Sequence, residues 1–292
     1  MKSSSRFSFA KINLFLKILD KRDDGYHDLE SVMCYIDLKD KIEYIKGSSS
    51  QDPELTLNIS GEFAGGILAD RNLFTEIFSH FKKEFKIDRD IEINLEKNIP
   101  VAAGLGGGSS NGASFIKFLD QKFDLSIAKE DLQNIALKFG CDLPFFFDDE
   151  SRIIRSKGEI LEEYGEFDDL DILLITPNIE VLTSDIFSSI KSTNSTELDS
   201  DQIRSLSVID LINDLPNDLQ SIAMKKFPII GLLSYELKNL GAHSFKMSGS
   251  GPSCFAIFED KSALNLACQK ISEKFPNFFT IKTKIISKIT DA

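Results

Sequence analysis

The sequence predicts a chain of mixed strands and helices arranged in two lobes. Three observations predict it. The chain opens on a strand–turn–strand pattern, a glycine-rich stretch at 104–108 stands between a strand pattern and an amphipathic helix pattern, and the texture restarts at about residue 170 with the apolar run DILLIT.

The elements follow in order. Residues 7–19 and 30–46 read as strands joined by the turn-forming KRDDG at 21–25, a hairpin. Leu73, Ile77, Phe81 and Phe85 form one stripe of a helix over 72–86, and Ile91, Ile93 and Leu95 then alternate with Glu92, Asn94 and Glu96 as a half-buried strand. Beyond the glycines, Ala113, Ile116, Leu119 and Phe123 keep helical spacing over 109–123, as do Leu132, Ile135 and Phe139 over 129–139. From residue 170 come a buried strand at 171–176, a polar loop at 191–202, helices near 207–213 and 218–239, and a strand at 254–259. The Ser- and Asp-rich segments 47–53 and 192–201 read as loops without chemistry of their own.

Composition narrows the function. A chain of 292 residues, 42% hydrophobic and 27% charged, can build one large domain or two lobes with separate cores. The formal net charge of −12 repels a phosphate backbone, which argues against nucleic acid as a partner. Cys34, Cys141, Cys254 and Cys268 form no CxxC pair, the usage of reduced intracellular thiols. Lys11, Asn13 and Lys17 interrupt the apolar N-terminal stretch where a signal peptide needs continuity, and no apolar run approaches a membrane span. The expectation is a soluble, cytoplasmic protein with no membrane partner. Its histidines, His27, His80 and His243, are too scattered to suggest a metal site.

The strongest motif is PVAAGLGGGSSN at 100–111, between a predicted strand and a predicted helix. Glycines without Cβ let backbone N–H groups close around an anion, and the open N–H groups and positive dipole end of the following helix favour phosphate there. A flexible glycine loop is the plain alternative, and the strand–loop–helix setting weighs against it. No Lys-Ser or Lys-Thr follows the glycines, so this is not a Walker A loop, and Ser109 stands at the third glycine of G-x-G-x-x-G, so it is not a dinucleotide fingerprint.

Residues 100–113 resemble the second motif of the GHMP kinases, the family of galactokinase, homoserine, mevalonate and phosphomevalonate kinases. Two further segments agree in order: FAKINLFL at 9–16 and KMSGSGPSC at 246–254. Three more, GYHDL at 25–29, the triple glycine before Ser109, Ser110 and Asn111, and GCDLP at 140–144, resemble the branch of that family whose acceptor is a cytidine-diphosphate-linked polyol. The resemblance spans nearly the whole chain.

The resemblance implies roles residue by residue. Asp142 matches the aspartate proposed as general base for the acceptor hydroxyl; read alone, an Asp before Leu-Pro is a helix N-cap. Lys11 matches the catalytic lysine, which orients that aspartate and offsets charge on the γ-phosphoryl; read alone, it is a solvated strand lysine. Asn13, two residues on, shares its strand face and can contact substrate. Pro100, Ala102, Ala103, Gly104, Leu105, Gly106, Gly107, Gly108, Ser109 and Ser110 are the ATP-phosphate segment. His27 would meet the cytosine edge with Tyr26 as an aromatic surface and Phe187 as a second aromatic, although most of the 24 Phe must be core. Gly249, Ser250 and Gly251 would close over the phosphates from the second lobe. Gly107 and Gly108 stand where other GHMP kinases carry serines, one of them near Mg²⁺, which leaves the metal contact unassigned.

The fold so implied is α+β in two lobes, ribosomal-protein-like over 1–165 and ferredoxin-like over 166–292, with the active site in the cleft between them. The implied reaction moves the γ-phosphoryl of ATP, with Mg²⁺, to the 2-hydroxyl of the cytidine-diphosphate-linked polyol, a step in isoprenoid precursor synthesis. A GHMP kinase for a mevalonate-like, sugar or amino-alcohol acceptor is the nearest alternative, and a non-catalytic binding module a more distant one.

Overall fold

The computed structural model describes residues 3–65, 67–68, 71–190 and 195–290. In chain order the strands are β1 (Ser3–Lys21), β2 (His27–Ser49), β3 (Leu55–Ser60), β4 (Arg89–Glu96), β5 (Arg152–Ser156), β6 (Ile160–Glu163), β7 (Leu170–Thr176), β8 (Ser244–Met247), β9 (Cys254–Ile257) and β10 (Phe279–Ile286). The helices are α1 (Leu73–Phe85), α2 (Gly107–Lys122), α3 (Lys129–Leu137), α4 (Thr183–Phe187), α5 (Ser200–Ser205), α6 (Val208–Asp214), α7 (Gln220–Lys226), α8 (Pro228–Asn239) and α9 (Lys261–Lys274), with a 3₁₀ turn at Leu143–Phe147.

The predicted hairpin is present, and pairing extends both strands past their apolar stretches. Arg22 closes the turn, its N–H donating to the Tyr26 carbonyl at 2.9 Å. Bulges break the β1–β2 register between Phe9 and Ala10 and again between Asn13 and Phe15. A bulge re-aims the side chains beside it. These two bracket Lys11 and Asn13.

All ten strands belong to one sheet with the order β3-β4-β2-β10-β7-β9-β8, and β1 and β5 also pair with β2. Its first half is covered by α1, α2 and α3 over a core that includes Phe81, Phe115 and Phe145. A second core joins residues far apart in the chain, Ile12, Val32 and Leu105 with Ile172, Leu174 and Phe255. The sheet is therefore continuous from one half of the chain to the other.

Three sequence expectations are corrected. The single helix expected at 218–239 is two, because Pro228 lacks an N–H and begins α8 after the break at Phe227. The polar loop at 191–202 gives way to α5 at Ser200, capped by Asp199, whose carboxylate accepts from Asp201 N–H at 2.8 Å; its residues 191–194 lie outside the described residues. The loop expected from residue 47 is still strand as far as Ser49. Among the described residues no helix is long and apolar enough to cross a membrane.

Candidate active site

A cleft of about 420 Å³ opens between the glycine segment, β1, the 3₁₀ turn and the loop that follows β8. The glycine segment reaches α2 through Gly106, the helix N-cap, whose φ of 66° is left-handed and suits glycine. No side chain caps α2 and its first turn holds no acidic residue, so the positive end of a 16-residue helix faces the cleft unneutralised. Gly108 has no atom within 4 Å of where a Cβ would stand, which leaves its surface open to a ligand.

Gly106 and Gly104 serve other purposes. A Cβ on Gly106 would lie 2.8 Å from the Phe146 ring and 2.9 Å from Lys11 Cγ, so this glycine exists for close packing. A Cβ on Gly104 would lie 2.3 Å from the Ser248 carbonyl. Gly104 instead accepts the Ser248 hydroxyl at 2.8 Å, while Ala103 accepts the Ser253 N–H at 3.2 Å and Leu105 accepts the Lys11 N–H at 2.9 Å. The segment is thereby stitched to β1 on one side and to the loop after β8 on the other.

Lys11 is 3% exposed and its amine lies 3.3 Å from the Asp142 carboxylate. It also donates to Asn13 Oδ1 at 2.8 Å; Asn13 donates to Ser31 Oγ at 2.8 Å, and Ser31 to the Phe15 carbonyl at 2.6 Å. This relay fixes the Asn13 amide and holds the lysine in one pose. Asp142 occupies the N-cap position of the 3₁₀ turn but its side chain makes no capping bond, and it is 37% exposed toward the cleft. The carboxylate is free for chemistry rather than spent on the turn.

Gly249 sits over this pair, with the site of its absent Cβ 3.4 Å from Asn13 Oδ1 and 3.6 Å from Lys11 Nζ. Ser250 and Thr183 share a hydrogen bond at 2.8 Å, which ties the start of α4 to the same loop. At the end of α4, Phe187 lines the cleft and lies 5.6 Å from the His27 ring at a 44° tilt. Burial, with Lys21 nearby, lowers the His27 pKa and favours the neutral ring.

Most of the predicted site converges here: Lys11, Asn13, Pro100, Ala102, Ala103, Gly104, Gly106, Gly107, Gly108, Ser109, Asp142, Phe187, Gly249 and Ser250 line the cleft. Leu105 is buried behind it, Ser110 faces a second cavity, and His27 and Gly251 stand back from the wall. Tyr26 does not line the cleft; it is half exposed, its ring 5.1 Å from the Lys157 amine.

Two groups escaped the sequence reading. Lys97 lines the cleft beside α2, its amine 2.9 Å from where a Cβ on Gly107 would stand, and burial lowers its pKa. Its counter-charge is the fully buried Asp40 at 2.6 Å, which also accepts from Asn111 Nδ2 at 3.0 Å and from the N–H groups of Asn98 and Ile99. Asn217 donates to the carbonyls of Met247 at 2.7 Å and Gly249 at 2.9 Å, which shapes the loop over Lys11. Asp40 and Lys97 are 57 positions apart and Asn217 is 32 positions from Gly249, so no local pattern could reveal them. Among the described residues no group of three or more His, Cys, Asp or Glu could hold a metal ion.

The chain resembles known proteins over nearly its whole length. Residues 72–147 match the GHMP kinases N terminal domain and residues 203–277 the GHMP kinases C terminal domain. A 4-diphosphocytidyl-2-C-methyl-D-erythritol kinase from Thermoanaerobacter pseudethanolicus is 32% identical over 288 residues, 97% of each chain. One from Prochlorococcus marinus is 37% identical and covers 92% of this chain and 90% of its own. In fold, a crystal structure of 4-(cytidine 5'-diphospho)-2C-methyl-D-erythritol kinase covers 97% of this chain and 99% of its own, with a TM-score of 0.75 at 24% identity. A homoserine kinase from Cytophaga hutchinsonii covers 99% of this chain and 96% of its own, with a TM-score of 0.71 at 16% identity. With its glycine segment, its lysine–aspartate pair and this likeness over nearly the whole chain, the chain belongs to the GHMP kinases, in the branch of the 4-diphosphocytidyl-2-C-methyl-D-erythritol kinases.

Proposed function

We propose that this kinase transfers the γ-phosphoryl of ATP to the 2-hydroxyl of 4-diphosphocytidyl-2-C-methyl-D-erythritol, an isoprenoid precursor, with residues 1–165 and 166–292 as its two lobes. The observation that carries the reading is the Lys11–Asp142 pair, 3.3 Å apart in a cleft that faces the unneutralised end of α2.

The nucleotide phosphates lie on the open surface at Gly108 and the N-terminus of α2. Leu57, Leu73, Phe74 and Leu95 form an apolar end of the cleft suited to a nucleobase. Asp142 takes the proton of the acceptor hydroxyl as its oxygen forms the new bond to the γ-phosphorus, and ADP leaves with the bonding pair of the broken P–O bond. Lys11 keeps Asp142 in place and balances the negative charge that builds during transfer. Ser109, a hydroxyl residue lining the cleft, would be the protein group to hold a Mg²⁺ ion brought in with the nucleotide, and the ion would supply charge neutralisation there. At the other end, neutral His27 with Phe187 and Tyr26 receives the cytosine ring, by hydrogen bonding at its edge and by contact with its face.

The test is ADP release with the cytidine-diphosphate polyol, mevalonate and homoserine as acceptors. Turnover with the first and a kcat/KM lower by roughly 10³ or more with the others is expected, because a site built around a base leaves its polar groups unpaired with smaller acceptors. Equal turnover with mevalonate would sink the acceptor assignment while leaving the kinase assignment standing.

A further inference from the structure

A second cavity, of about 370 Å³, lies against a different stripe of α2. Gly107, Gly108 and Asn111 face the cleft, whereas Ser110, Ser114, Lys117 and Gln121, spaced three and four apart, face this cavity. Arg6 and Ser8 of β1 form another wall, and the rings of Phe146 and Phe147 a third.

Its charges are poorly matched. Arg6 donates to the neutral Gln121 Oε1, and among the described residues no carboxylate forms an ion pair with it. The Lys117 amine is 3.6 Å from Asp149, itself half in water, and 5.7 Å from the centre of the Phe147 ring. Burial lowers the Lys117 pKa; Asp149, which also lines the cavity, opposes the shift and the neighbouring Arg6 adds to it. The other charged groups on the walls are already engaged: Lys129 lies 2.5 Å from Asp148, and Asp120 accepts the Ile127 N–H at 3.0 Å. The Ser8 hydroxyl is buried, lines the cavity and has no hydrogen-bond partner among the described residues. A buried hydroxyl and two crowded cations call for a partner that accepts hydrogen bonds and carries negative charge. Apolar rings beside them call for a hydrocarbon body.

We infer that this cavity is a second ligand site, for a small organic phosphate with a short apolar tail, and that its occupancy tunes nucleotide binding through Phe146. The head group lies between Arg6 and Lys117 and accepts from Ser8; the tail lies on Phe146 and Phe147. Phe146 lines the second cavity and packs against Gly106, which lines the cleft. The Lys11 stem also abuts Gly106, so a ligand pressed on the Phe146 ring bears on the N-cap of α2 and on the catalytic lysine. The tuning half rests on the kinase reading above, and the binding half does not.

The probe is n-butyl phosphate, titrated calorimetrically into enzyme saturated with a non-hydrolysable ATP analogue, so that the cleft is closed to it. Binding at or below about 1 mM is expected, weakened about tenfold or more in Arg6→Met and in Lys117→Met and absent for n-butanol. Circular dichroism checks that the variants fold, and Arg6→Met on the partly exposed end of β1 carries the test if Lys117→Met does not. In turnover assays the probe should shift the KM for ATP at least about twofold in the parent enzyme and leave it unchanged in Arg6→Met. Absence of binding, n-butanol binding as well as the phosphate, or affinity untouched by Arg6→Met would each overturn the site. Binding without any shift in the KM for ATP would overturn the tuning.

Discussion

Asp142 and Lys11 carry opposite charges within 3.3 Å, and each makes a separate prediction. Asp142 makes no capping bond, so Asp142→Asn should lower kcat by about 10²–10⁴ because the amide cannot take the proton, and removing the charge that pairs with the buried Lys11 should cost about 1–3 kcal/mol of stability. Near-normal turnover would mean that no base is needed. Lys11→Met should also lower kcat, and if the two act as a unit the double variant should be little slower than the slower single one; multiplied losses would show separate roles. The glycines divide as well. Gly108→Val projects into open space, so it should keep the fold and weaken ATP binding by about tenfold or more, measured by calorimetry. Gly106→Ala meets Phe146 and Lys11 and forces a left-handed alanine, so it should lose about 1–3 kcal/mol in urea unfolding. Sequence alone suggests that the phosphate itself would exclude a side chain at Gly106; the packing around it says otherwise.

Strands and helices place these residues, and they differ in how far the sequence announces them. The N-terminal hairpin, α1, α2, α3, β4 and β7 were legible because their apolar stripes are local. So were Lys11, the glycines and Asp142, each inside a contiguous motif. α9 went unread although Leu264, Ala267 and Ile271 keep helical spacing behind the Asp260 cap, while β5, β6 and β8 are too short to show a period. β10 shows almost no burial alternation, since its place comes from pairing on both sides. Lys246 on β8 gives an element-scale test. It is 6% exposed, donates to the Leu215 carbonyl at 2.5 Å, and burial lowers its pKa from 10.5 to about 8. Below pH 8 both folded and unfolded chains hold the proton and the folded chain bears the full cost of burying it. Between about 8 and 10.5 the folded chain releases it first, so stability rises with pH. Relative to Lys246→Met, the parent should gain on the order of 2 kcal/mol between about pH 8 and 9.5 in urea unfolding. A flat difference across that range would show that the amine is not held in the charged, buried state.

At the scale of the molecule, the two halves of the chain share one sheet and one core. Ile12 and Val32 pack with Ile172 and Phe255, so the halves should not melt apart. Calorimetry should record a single transition, and two resolved ones would show that the shared core contributes little to cooperativity. What joins the halves is β10, which pairs with β7 along Phe279–Ile285 and with β2 at Ile285 and Ile286. It is the last strand in chain order. While the protein is being made, β7 is complete 110 residues before Ile286, and its edge and that of β2 then stand open as templates for other chains. At about 5–20 residues per second that interval lasts roughly 6–22 s, the period in which a nascent chain most needs a chaperone.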